Sequence, residues 1–216
     1  MTENWPPYNY QNDSGDVDGV ATAVVKRVLS SAELSYSIDV FPWARSYKLA
    51  QGQPNTLIYS IFKTAEREPY FHWFCPLLPN LDMFFFALSD GQVKPISSLD
   101  ASTSLKIGVV REDFPYQVLK SRGLHEGKQL YLSSSDEVNL KRLLAGEVDV
   151  VPTSIRSMKS RLKNLGLSFD KVVPVYQLLS SESTPICMAM SIDSNPEVVE
   201  KISVSFQKEL TQQLNK

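Results

Sequence analysis

Stretches of helical and of strand periodicity alternate along this chain almost from end to end, and that alternation limits the fold more than any other feature. Val20, Val24, Val25, Val28 and Leu29 recur at helical spacing and predict a helix over 19–31. Tyr36, Ile38 and Val40 alternate with polar residues and predict a strand. Pro42 opens a second helix, where its missing N–H costs nothing, and Gly52 fits its end. A strand follows at 56–62, a turn-rich stretch leads to a short strand, and a mostly apolar strand spans 81–88. A second series then runs strand 105–110, helix 114–122, strand 129–132 and a helix opened by a Ser134/Glu137 capping box. Strand 147–151 precedes a helix striped by Ile155, Met158, Leu162 and Leu165. Strands at 171–176 and 186–190 come next, and Ser194, Pro196 and Glu197 cap a last helix with inner face Val199, Ile202, Phe206 and Leu210. Such alternation argues an α/β fold, with parallel sheets covered by helices. The polar connection at 89–104 divides the elements into two lobes, and in open α/β sheets ligands bind beyond the carboxyl ends of strands.

Composition removes several function classes. Of 216 residues 43% are apolar and 21% charged, enough to bury a core, so the chain is not disordered. A net charge of −2 gives no cationic field for nucleic acid or anionic lipid. The longest apolar run, 83–88, falls far short of the roughly 20 residues that span a bilayer. No basic segment followed by an apolar stretch opens the sequence as a signal peptide would. There is no P-loop, GxGxxG, GxSxG, HExxH or CxxC. His72 and His125 stand apart without ligand clustering, so they read as structural, and neither a metal nor a cofactor is expected. Asp16 with Asp18 and Glu66 with Glu68 read as solvated charges rather than an acid/base pair. Cys75 and Cys187 fit one bridge or two buried thiols equally well.

Six segments in order carry a resemblance. They are TENWPPYNY, GVATAVVKRVL, the PWAR of FPWARSYKLAQG, TLIYSIFKTAEREPYFHWFCPL, LKIGVV and LLAGEVDVVPTS. Together they cover nearly the whole chain, and in that order the sequence resembles the family 3 periplasmic solute-binding proteins, the amino-acid-type receptors of ABC importers. The resemblance implies a two-lobed, type II periplasmic-binding-protein-like α/β fold with the ligand cleft between its lobes. Lobe I would be discontinuous, 1–82 plus 184–216, and lobe II would be the insert 86–180. Two crossing strands near 82–86 and 180–185 would form the hinge. Implied too are a periplasmic monomer, a small-molecule ligand, an ABC permease as partner, and hinge closure without chemistry.

The same resemblance proposes ligand contacts. Arg67 would clamp a ligand carboxylate, because a planar guanidinium offers two parallel charge-assisted hydrogen bonds; its plain alternative is surface pairing with Glu66 or Glu68. Ser60 would present a hydroxyl or its backbone carbonyl, and Phe62 stands where many relatives have a small polar residue, making the pocket smaller or more apolar. Trp43, Trp5 and Tyr8 read as aromatic walls or as core packing. Arg45 could face the cleft or hold its helix end, and Glu3 stands where some relatives receive a ligand cation. In lobe II, Phe114 and Asp113 open a helix whose free N–H donors suit a carboxylate, with Asp113 itself first of all an N-cap. Thr153 and Ser154 end a strand where amino-acid-binding relatives commonly carry an aspartate, a departure that weakens an α-amino acid assignment. The family also begins with a β-strand before the TEN-like segment, so a form extended upstream is expected to be more stable than the chain as it stands. Two rivals share the scaffold, a periplasmic dehydratase of cyclohexadienyl or arogenate type and a ligand-sensing module of a signalling receptor. For the enzyme Glu3, Glu112 and Asp113 are the candidate acids, none of them in a persuasive motif.

Overall fold

A computed structural model describes residues 1–79, 81–99, 104–180 and 184–214. The chain divides into two units, Met1–Asn80 with Thr184–Lys216, and Leu81–Ser183. In the first unit come β1 (Tyr10–Gln11), β2 (Val17–Asp18), α1 (Val20–Ser31), α2 (Trp43–Gly52), β3 (Leu57–Phe62) and β4 (Phe71–Leu78). The second unit carries β5 (Met83–Leu88), β6 (Ile107–Val110), α3 (Phe114–Ser121), β7 (Leu130–Ser133), α4 (Asp136–Leu144), β8 (Val151–Thr153), α5 (Ile155–Asn164) and β9 (Val172–Leu179). The chain returns to the first unit as β10 (Ile186–Ser191) and α6 (Pro196–Leu214). Of the expected hinge crossings, 180–185 includes residues 181–183, which lie outside the described residues, as do residues 100–103 of the connection at 89–104.

The first unit is built on the sheet β3-β10-β4, with β10 antiparallel to both neighbours. Parallel pairing was the expectation here. It fails because β10, on which the chain returns from the second unit, lies between β3 and β4 and runs opposite to both. The strand β4 is eight residues long rather than short. Cys75 of β4 and Cys187 of β10 form a disulfide with Cα atoms 4.6 Å apart, which settles the alternative that the sequence left open.

Residues 36–40 do not form a strand among the described elements; only Val40 pairs, in a parallel bridge with Thr2. Alternating side chains make a strand only where a neighbouring backbone supplies the ladder. Met1 also reaches into this region, its amine donating to Leu57 O at 2.7 Å. Burial lowers that amine from 8.0 to about 6, against the pull of Asp39. Because the unfolded chain holds the proton more tightly, stability should rise with pH between about 6 and 8, by roughly 3 kcal/mol in all. Urea unfolding at pH 5.5 and 8.5 checks this, since acetylating the amine should remove the difference.

In the second unit the parallel bridge Ile107↔Val150 places the approach to β8 beside β6. The strands therefore run β7-β6-β8-β5-β9, with β6 and β7 parallel and β5 antiparallel to β8 and β9. Neighbouring strand residues point to opposite faces, so Phe85 and Phe86 of the apolar β5 head two separate cores. Phe85 packs with Ile107, Val109 and Leu119, and Phe86 with Leu140, Leu143, Met158 and Leu162. Helices thus cover both faces. The stripe on α5 is shorter than its spacing suggests, for Ile155 and Leu165 at its ends are exposed. The cap of α4 is Ser135, whose Oγ accepts from Val138 N at 3.3 Å, one residue later than the Ser134/Glu137 box predicts.

One glycine fixes the opening loop. Pro7 O and Tyr8 O accept the first free N–H groups of α1, from Val20 and Ala21, at 3.1 and 2.8 Å. Gly19 makes this approach with φ 116°, and a Cβ there would sit 2.4 Å from Tyr8 O. Gly19→Ala should cost about 3 kcal/mol, because that backbone region is open essentially to glycine alone. A urea midpoint matching the wild type would contradict this account of the loop.

Candidate functional site

Arg67 sits at the turn that β3 feeds, with its N–H donating to Thr64 O at 3.0 Å and to Thr64 Oγ1 at 3.3 Å. Its side chain is fully buried. The guanidinium carbon lies 5.1 Å from the ring centre of Trp43 and 5.2 Å from that of Tyr47, and Nη1 donates to Phe62 O at 3.3 Å. The side chain lies in the interior rather than at the surface, while Glu66 is exposed and Glu68 pairs with Lys63 at 3.0 Å. Both ring distances fall within the about 6 Å over which an aromatic quadrupole attracts a cation, so the rings hold the group in orientation without neutralising its charge.

The rings are themselves locked. Trp43 and Tyr47 stack 5.9 Å apart on one face of α2, and Tyr47 meets Phe71 of β4 at 5.9 Å. Trp5 packs on Tyr8 at 4.6 Å and on Phe62 at 6.3 Å. Contacts therefore join Trp5, Tyr8, Phe62, Arg67 and Trp43 into one cluster within the first unit. Tyr47 belongs to it and was missed. Its signal was present, because residues four apart share a helix face and Trp43 had already been singled out. Arg45 instead turns outward, its guanidinium 4.0 Å over the Phe41 ring. Glu3 is half-buried, and its main-chain carbonyl accepts from Asn9 Nδ2 at 2.8 Å.

Ser60 occupies a strained position. Its φ is 61° in the middle of β3, where the register against β10 shifts between Cys187 and Met188. Tyr59 pairs with Met188 and Ile61 with Cys187, which leaves Ser60 as the extra residue of a bulge. The side chain is buried, and among the described residues its Oγ has no hydrogen-bond partner. A left-handed serine and an unpaired buried hydroxyl each cost free energy. Ser60→Gly should therefore raise stability by about 1 kcal/mol after the entropy cost of glycine, while weakening any ligand that uses the hydroxyl. A fall in the urea midpoint would rule out this reading of the bulge.

The second unit gathers a different chemistry. The strands β6 and β7 and the approach to β8 share one direction, so Val110, Ser133 and Thr153 end on the same edge of the sheet. Helices α3, α4 and α5 start directly after them, capped by Asp113, Ser135 and Ser154. Asp113 Oδ1 accepts from Phe114 N at 2.6 Å, which is the capping role expected of it. Ser154 Oγ accepts from Ser157 N at 3.1 Å. Phe114, Thr153 and Ser154 are buried, and Thr153 Oγ1 has no hydrogen-bond partner among the described residues. Three helix N-termini on one strand edge create positive potential there. Behind them Arg161 Nη2 meets Asp136 Oδ2 at 3.3 Å; burial pushes the Asp136 carboxyl upward, and Arg161 opposes it. Among the described residues no group of His, Cys, Asp and Glu could hold a metal ion, and no helix is long and apolar enough to cross a membrane.

Comparison with solved structures shows the fold. The chain superimposes on a histidine kinase sensor domain with similarity to periplasmic binding proteins, with TM-score 0.82 and 17% identity over 99% of this chain and 90% of that one. An ancestral arginine-binding protein bound to arginine gives 0.81 and 18%, covering 98% and 91%. The arginine-, lysine-, histidine-binding protein ArtJ from the thermophilic bacterium Geobacillus stearothermophilus gives 0.79 and 17%, covering 98% and 88%. No family model and no curated protein sequence matches the chain.

Proposed function

We propose that this protein captures a small polar solute bearing a carboxylate, an amino acid or a close relative, as a family 3 solute-binding protein outside the cytoplasm. The observation that carries the reading is Arg67, a guanidinium buried within the first unit and oriented by Trp43 and Tyr47. A guanidinium so fixed is prepared for two parallel hydrogen bonds to one carboxylate. Ser60 offers a hydroxyl from the same unit, and the helix starts at Phe114 and Ile155, with Thr153, offer donors from the other. Hinge bending near 82–86 and 180–185 would let both sets engage one ligand, with closure passing the signal to an ABC permease. The likeness to binding proteins for arginine, lysine and histidine supports the ligand class. The Cys75–Cys187 bridge supports an oxidising compartment such as the periplasm.

A thermal-shift screen against amino acids and small carboxylates tests the reading. A solute at a hundred times its dissociation constant should stabilise the protein by about 2.7 kcal/mol. No shift across the panel would overturn it. A sensing role with the same capture chemistry is the second reading, favoured by the similarity to a kinase sensor domain. Product formation from prephenate or arogenate would instead establish the enzyme.

A further inference from the structure

The disulfide lies where β10 loses regular pairing with both of its neighbours. From Met188 onward β10 pairs residue by residue with β3, Met188 with Tyr59, Ala189 with Ile58 and Met190 with Leu57. It pairs as evenly with β4, from Met188 with Phe74 to Ser191 with Phe71. Before Met188 both ladders shift. On one side Cys187 pairs with Ile61, which leaves Ser60 as the extra residue. On the other, Ile186 pairs with Leu78, so Cys75, Pro76 and Leu77 stand opposite Cys187 alone. The bond from Cys187 to Cys75 joins the strands at the point where their backbone pairing is interrupted. The place of Cys187 also bears on the Arg67 cluster. Ile186 pairs with Phe62, and Pro185 O accepts from Lys63 N at 3.1 Å, so residues 185–187 fix the register of residues 61–63. Phe62 O in turn accepts from Arg67 Nη1 at 3.3 Å.

We propose that the Cys75–Cys187 bridge is a positioning element of the carboxylate site, holding the β3 bulge and with it Ser60 and the Phe62 carbonyl. Ser60 keeps φ 61° and a buried hydroxyl without a hydrogen-bond partner among the described residues, both of which cost free energy. A slip of one residue between β3 and residues 185–187 would absorb the bulge and return Ser60 to extended backbone. It would also turn the neighbouring side chains to the opposite face and carry the Phe62 carbonyl away from Arg67. Backbone pairing offers little resistance to that slip, because both ladders already shift at Cys187. A covalent bond at that residue does resist it. A bridge acting only on the unfolded chain, through loop closure, would leave the native bulge as it is. The two roles are separable in the folded protein. The bearing on solute capture rests on the reading of Arg67 as the clamp, whereas the coupling of bridge to bulge does not.

The bridged protein is compared with Cys75→Ala/Cys187→Ala, each with and without Ser60→Gly. In the bridged protein Ser60→Gly should raise the folding constant about fivefold, because glycine accepts the left-handed backbone. Without the bridge the gain should fall below about twofold, since the slip has already relieved that residue. In the folded bridge-free protein the Ser60 Cα and Cβ chemical shifts should leave the left-handed range, and the Arg67 guanidinium protons should exchange at least about tenfold faster. Should the double variant not fold unaided, the same readings are taken in about 1 M trimethylamine N-oxide, which favours the compact state. An equal gain from Ser60→Gly in both backgrounds would overturn the proposal. So would left-handed Ser60 shifts, or unchanged Arg67 exchange, in the absence of the bridge. None of these readings needs a ligand, so a panel without any binding solute would strike the capture reading and leave this one standing.

Discussion

Arg67→Ala is expected to weaken the binding of any solute found in the screen by at least about a hundredfold, the loss that follows removal of one partner from a desolvated, hydrogen-bonded charge pair. Truncation also removes the body that Trp43 and Tyr47 pack against, so the unliganded midpoint should fall as well. Arg67→Lys separates the two effects. It keeps the charge near both rings but replaces a planar fork with a single ammonium, so binding should drop at least about tenfold with a smaller change in midpoint. Calorimetric titration of both variants decides the matter. Wild-type affinity in Arg67→Lys would show that the guanidinium is a packing element, and wild-type affinity in Arg67→Ala would remove it from the site altogether.

Replacing both cysteines by alanine should destabilise the protein by about 4 kcal/mol and lower its midpoint by roughly 10 °C. The bridge spans 112 positions, a loop that contains the whole second unit, and the chain-entropy account gives about 4.7 kcal/mol for a 100-residue loop. Cys187 is fully buried, so alanine also leaves a small void. Urea unfolding of the variant, and of the wild type with and without reductant, measures the effect. An unchanged midpoint in the variant would mean that the unfolded chain gains little freedom when the bridge is absent.

Local pattern carried much of the fold. The helices at 20–31 and 155–164 follow from apolar spacing, and the one at 43–52 from the proline before it and the glycine at its end, because a helix closes its hydrogen bonds within its own residues. The apolar strand 83–88 was equally legible, since a strand covered on both faces has no polar alternation to hide. Residues 36–40 show where such reasoning stops. Their side chains alternate correctly, but a strand exists only in company, and the neighbour they face is a single residue, Thr2.

For the candidate site the division is similar. Arg67, Trp43, Trp5 and Tyr8 could be singled out from the sequence, and Tyr47 lay within reach of helical spacing. Ser60 could not be recognised as strained. Its left-handed backbone arises from the register that β3 takes against β10, more than a hundred residues away, and serine carries no local preference for that conformation.

By itself the sequence determined which segments are helices and which residues are apolar enough to be buried. Those properties reside in neighbouring residues and their chemistry. The tertiary structure alone decided that β10 runs antiparallel between β3 and β4, that Cys75 meets Cys187, and that Arg67 is buried against the rings of Trp43 and Tyr47. Each of these depends on which distant backbone lies alongside, and spacing along the chain holds no record of that.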